Sequence, residues 1–181
     1  MKDERSQTRR ETHFEKEDAY KSLDIVNNWI SSMDNKTSVL LAYIGVLIGF
    51  VVSKGTPSIL SDVCKTSLSF IVAFKLVSVV LLYTTIAASV MLLFWALKAR
   101  VKDFNEKHSL LFFGEISKLK LNDYKSKILN RTEEDLIKDI LEQIHTNSMI
   151  CTKKARLYNH GLVATLISTG LYVVCVLLKV F

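Results

Sequence analysis

Apolar and polar residues along this 181-residue chain fall into blocks rather than mixing. Three windows contain no charged residue: Thr37–Ser53 (17 residues), Leu76–Leu97 (22) and Leu157–Leu178 (22). A helix crosses a bilayer with about 20 apolar residues, within a range of roughly 17–25. The second and third windows meet that length, and the first sits at its short end. A buried core helix rarely stays uncharged on every face for about six turns, so the pattern predicts membrane spans.

The polar flanks of the first and third windows carry a helical period. Leu23, Val26, Ile30 and Met33 fall at i, i+3, i+7 and i+10, one face of a helix. Neither Gly nor Pro intervenes before Gly45, so one helix is expected to run from the flank into the first span. An apolar stripe on a helix this long must pack against something to hold it. Thr132, with Asp135 three residues on, resembles a capping box in which Asp replaces the usual Glu. It opens a second stripe of Leu136, Ile140, Ile144 and, less regularly, Met149 or Cys151, with no break before Gly161. Lys54-Gly55-Thr56-Pro57 holds the chain's one proline and should stop the first long helix. Beyond it, Thr66–Phe74 is apolar enough to extend the second span or to lie in the interface. Lys75 would then reach outward along its own stem.

The fold class expected is an all-α membrane protein. Long amphipathic helices are continuous with about three transmembrane helices, and there is a small helical cytoplasmic insert. The segments are a cytoplasmic N-terminal stretch with an amphipathic helix (1–36), span one (37–53) and a short outer loop (54–75). Span two (76–97), the helical insert (98–156) and span three (157–178) follow. Trp29 and Trp95 suit the two interfacial positions, where an amphipathic ring has one wet edge. Gly45 and Gly49 form a GxxxG pattern that lets helix backbones approach, either within the chain or between copies.

Charge sets the orientation. Residues 1–36 hold 7 Lys/Arg and 8 Asp/Glu, and residues 98–156 hold 13 and 9, whereas 54–75 has three lysines and one aspartate. The asymmetry places the first and third of these segments, and hence the N-terminus, in the cytoplasm. It also favours anionic lipid headgroups over nucleic acid as the partner of the +6 net charge. A cleavable signal peptide does not fit a first apolar window that follows 36 mostly charged residues. No lipidation signal is seen at either end. Cys64, Cys151 and Cys175 have neither disulfide-framework nor zinc spacing.

Catalytic patterns are lacking. His13, His108, His145 and His160 have no metal-ligand spacing, and no P-loop, GxSxG or GxGxxG occurs. The spans hold no charged group of the kind a membrane-embedded enzyme or ion-coupled transporter uses. A non-enzyme without metal or cofactor is therefore expected. The polar residues on the approach to the spans are Asp34, Lys36, Gln143, His145, Asn147, Lys153 and Lys154. If the two long helices lie side by side, these could form a junction that a cytoplasmic ligand reorganises. The alternative is a solvated surface.

Two runs carry a family resemblance. The first is Trp29-Ile30-x3-Asp34-x-Lys36-x3-Leu40-Leu41-Ala42-x2-Gly45. The second is Phe113-Gly114 followed by Asp139-x3-Gln143-Ile144-x2-Asn147-x2-Ile150-x3-Lys154-x2-Leu157. In this order, and in this relation to the spans, they resemble the transmembrane effectors of Pycsar anti-phage systems. The resemblance covers about residues 20–178. It implies a multi-pass bacterial inner-membrane protein encoded beside a pyrimidine cyclase. Cyclic CMP or cyclic UMP from that cyclase would activate it to impair membrane integrity and abort infection. A homo-oligomer in contact with membrane lipids is the expected working form. Familiar cyclic-nucleotide pockets are β-rolls with a Gly-rich cassette, whereas this insert has one glycine, Gly114. The anion would then have to sit at helix ends or among Arg131, Lys153, Lys154 and Arg156. A membrane adaptor docking a soluble partner, or a holin-like permeabiliser without nucleotide gating, are the alternatives.

Overall fold

The computed structural model describes residues 15–57, 70–99, 110–111 and 113–181. The N-terminal arm 1–14 with His13, and also Cys64, Arg100, Phe104, His108 and Phe112, lie outside the described residues. The described residues form helices joined by short turns, with no strand among them. Helix α1 spans Lys16–Ser53, α2 Phe70–Lys98, α3 Phe113–Ile116, α4 Leu121–Leu129 and α5 Glu133–Leu177. Helix α1 (38 residues) and α5 (45) each join a polar half to an apolar half without interruption. At 1.5 Å per residue, α5 is about 68 Å long, roughly twice a bilayer core. Helix α2 (29 residues) begins at Phe70, so residues 70–75 belong to this helix rather than to the loop 54–75.

Local sequence accounts for the helix ends. The Thr132 hydroxyl accepts from the Asp135 amide at 3.2 Å, and the Asp135 carboxylate accepts from the Thr132 amide at 3.3 Å. This capping box opens α5 and satisfies amides that have no intrahelical partner. The Thr132 bonds hold the Asp135 carboxyl below its ordinary value. Helix α1 stops at Lys54, followed by Gly55 at φ +78°, a left-handed position that glycine occupies without strain. Helix α5 ends in a Schellman arrangement: Lys179 takes φ 49°, Val180 N–H donates to Cys175 C=O, and Val180 is buried.

Helices α1, α2 and α5 pack as a bundle. Asn27 meets Asn147, Asp34 meets Lys154 and Tyr43 meets Thr169, so α1 and α5 run parallel. Ala96 lies by Lys154 and Ser89 by Thr165, so α2 runs antiparallel to them beside their apolar halves. The shared core is Ile44, Leu47, Val51, Val79, Leu82, Ile86, Leu93 and Cys175. In the polar halves, Ala19, Val26 and Ile140 are buried. They continue the stripes read from the sequence, with Leu23, Ile30, Met33, Leu136 and Ile144 half-buried beside them.

The outside of the apolar halves is hydrocarbon. Val39, Val46, Phe50, Phe70, Ile71, Val77, Val80, Phe94, Val163, Leu166 and Ile167 are all exposed. In the most apolar 18-residue windows of the three long helices, only 22%, 33% and 22% is buried. A water-soluble domain does not expose an apolar belt around all three helices. Lipid is the solvent that such a surface fits.

Candidate functional site

The two long helices change from polar to apolar at the same level, and α2 ends at that level too. Lys154 sits at this meeting point and is buried. Its ammonium donates to the Asp34 carboxylate on α1 at 2.5 Å, and to the carbonyls of Ala96 and Leu97 on α2 at 3.2 and 3.0 Å. An ammonium has three N–H donors, and these three acceptors use all of them.

Each partner has its own reason to be there. A helix end leaves its last carbonyls without intrahelical donors and carries partial negative charge. Lys154 therefore caps α2 from a neighbouring helix. Asp34 is partly exposed and neutralises the cation whose burial would otherwise be costly. One side chain thus ties three helices together where their polar halves meet the apolar ones.

Below the junction, on the polar side, Asn147 Nδ2 donates to Asn27 Oδ1 at 2.8 Å. On the apolar side, the Tyr43 and Thr169 hydroxyls lie 3.1 Å apart. The seam between α1 and α5 is therefore held by a polar contact at each of three levels. The seam between α2 and α5 is built differently. Ser89 and Thr165 hydroxyls, both buried, lie 2.5 Å apart, and Ser89 also reaches the Gly161 carbonyl at 3.3 Å. A β-carbon on Gly161 would come within 2.6 Å of Leu93 Cδ2, so the absent side chain is what lets the helices approach.

Residues singled out from the sequence separate into groups. Asp34 and Lys154 are joined in the junction, and Asn147 belongs to the same seam. Lys36, Lys153 and Arg156 are exposed, and Gln143 is half-buried. Arg131 lies elsewhere: its guanidinium pairs with buried Asp139 at 2.8 Å near the start of α5, about 22 Å along the helix from Lys154. Asp139 also accepts from the Leu110 amide at 3.2 Å, fastening the insert to α5. The four basic candidates for anion binding do not form one cluster. Gly45 and Gly49 are exposed, and a β-carbon at either would meet nothing within 4 Å among the described residues. Trp29 and Trp95 are both exposed.

Two features escaped the sequence reading. The hydroxyls of Ser78, Thr84 and Thr85 bond back to their own helix, as is usual in a span, whereas that of Ser89 bonds across to α5. Gly161 marked only a possible break, whereas it is the closest approach of two helices. Its spacing from Thr165 and Ser168 on α5, all three buried, is the small-residue signal that could have revealed the seam.

Fold and junction together define an α-helical membrane protein whose three long helices are fastened at the base of their apolar halves. The Pycsar effector protein domain, PycTM, matches residues 18–181. Pycsar effector protein GmPycTM of Gulbenkiania mobilis is 32% identical over 177 residues, covering 88% of this chain and 90% of the relative. Pycsar effector protein PtPycTM of Propioniciclava tarda is 27% identical over 145 residues, covering 76% and 67%. No solved structure matches the chain. The chain belongs to the PycTM family of Pycsar effectors, and is thus an effector of anti-phage defence.

Proposed function

We propose that this protein is a gated effector of the bacterial inner membrane, with its N-terminus in the cytoplasm. Cyclic CMP or cyclic UMP from a partner pyrimidine cyclase switches it on. Activation impairs the membrane and ends the infection. The observation that carries this reading is the Lys154 junction. A ligand that changes the packing of the polar halves of α1 and α5 acts on rods continuous with two spans. The same lysine holds the end of the third. Permeabilisation needs no selective filter, which agrees with spans that lack charged residues.

The exposed face bearing Gly45 and Gly49 suits contact with a second copy, and a homo-oligomer is the working form. Cross-linking in membranes should trap oligomers that Gly45→Leu with Gly49→Leu removes; unchanged cross-linking would dismiss that face.

Propidium uptake tests the main reading in cells expressing the protein with or without the cyclase. Uptake should rise only when cyclic CMP or cyclic UMP is made. Uptake that follows expression alone would favour a holin-like permeabiliser. Recovery of one stoichiometric soluble partner, without dye entry, would favour an adaptor.

A further inference from the structure

A cavity of about 680 Å³ opens beside the junction, lined by Trp95, Leu97, Lys98, Ala99, Lys153 and Leu157. We propose that it binds a singly charged phosphodiester. The phosphate would lie between Lys98 and Lys153, with the group it carries against the Trp95 indole.

Charge is the first reason. Among the described residues that line it, the cavity has two ammonium groups and no carboxylate. The C-terminal end of a helix ordinarily repels anions. Here Lys154 already occupies the Ala96 and Leu97 carbonyls, which offsets that repulsion. A second cavity, of about 780 Å³, makes the contrast: Glu15, Glu17, Glu133 and Glu134 line it against one lysine, Lys16. Among the described residues, the lining there disfavours an anion and the lining at the α2 end favours one.

Shape and position are the second reason. The volume falls within the roughly 300–1,000 Å³ typical of small-ligand sites. Trp95 is 57% exposed and offers a flat ring on which a planar base can stack. The same indole lies at the level where lipid headgroups sit beside interfacial tryptophans. Leu97 both lines the cavity and gives its carbonyl to Lys154, so an occupant presses on the junction itself.

The phosphodiester has two possible sources. One is a free cyclic pyrimidine nucleotide, in which case the inference rests on the function proposed above. The other is the headgroup of an anionic phospholipid, which does not depend on it.

The test uses the full chain with Trp29→Phe, leaving Trp95 as the remaining tryptophan. In phosphatidylcholine nanodiscs, cyclic CMP and cyclic UMP are titrated against its fluorescence. In a parallel arm, the phosphatidylglycerol fraction is raised instead. A saturable change is expected in at least one arm, and the arm that responds identifies the source. Lys98→Gln and Lys153→Gln should each weaken it about tenfold, the size of one charge-assisted hydrogen bond, while the Arg variants retain it. No saturable change in either arm, or an affinity that neither Gln variant lowers, overturns the site. Dye uptake separates this failure from that of the effector reading. Cyclase-dependent uptake with a silent Trp95 removes the site and keeps the effector. A responding Trp95 in cells that stay dye-tight keeps the site and removes the effector.

Discussion

Helix α5 packs against two neighbours, and the two seams are made of different materials. Toward α2 it presents Gly161, Thr165 and Ser168, all buried, and the helices close on Leu93 and Ser89. Toward α1 it presents Asn147, Lys154 and Thr169, whose partners Asn27, Asp34 and Tyr43 are at least partly open to solvent or lipid. The first seam relies on shape, and shape tolerates little displacement because close-packed contacts vanish within about an ångström. The second adds to its apolar stripe hydrogen bonds between groups that water or a ligand can also satisfy, so the polar contacts themselves contribute little net strength. The seam between α2 and α5 is thus the one less tolerant of displacement, and the polar contacts of α1 are the ones that water or a ligand can replace. Lys154 is the exception, since it belongs to both seams at once.

Removing that exception should have the largest effect. Lys154→Met leaves Asp34 and two helix-end carbonyls without their donor. It should cost about 3 kcal/mol, the lower end for a broken buried pair because Asp34 is partly exposed. Thermal unfolding in detergent would read the loss. Exchanging the charges, Asp34→Lys with Lys154→Asp, restores the attraction but sets a carboxylate against the Ala96 and Leu97 carbonyls. Little stability should return, and full recovery would show that the cap on α2 contributes nothing.

Next comes the shape-based seam. Gly161→Val forces α2 away from α5 and should cost about 2 kcal/mol through overpacking. An unchanged melting temperature would mean that Leu93 has room to move, and the contrast between the seams would weaken. The smallest effect belongs to the polar seam: Tyr43→Phe should lose about 0.6 kcal/mol, typical of a single hydrogen bond between membrane helices. A loss as large as that from Gly161→Val would make α1 as firmly fixed as α2.

Much of the architecture was legible because it depends on local properties. The uncharged windows, the absence of Gly and Pro through the two long helices, and the Thr132 cap are each visible in a short stretch of chain. Asp34 and Lys154 were also visible, but as separate polar residues on the approach to the spans. Their pairing was not, since 120 positions separate them. Arg131 shows the reverse case: it was grouped with Lys153, Lys154 and Arg156 by charge alone, and its pairing with Asp139 sets it apart.

Hydropathy and helical period therefore determined that the chain enters a membrane, how many long helices it has and, through the Thr132 cap, where the last one starts. Those properties follow from the transfer of single residues between water and hydrocarbon, and from backbone bonds within one segment. Which helix meets which, and at what height, depended on packing. A lysine that caps a helix 57 residues away can be recognised only once both are side by side. Ser89 likewise had a hydrogen-bond partner in its own helix or across the seam, and proximity to Thr165 decided between them.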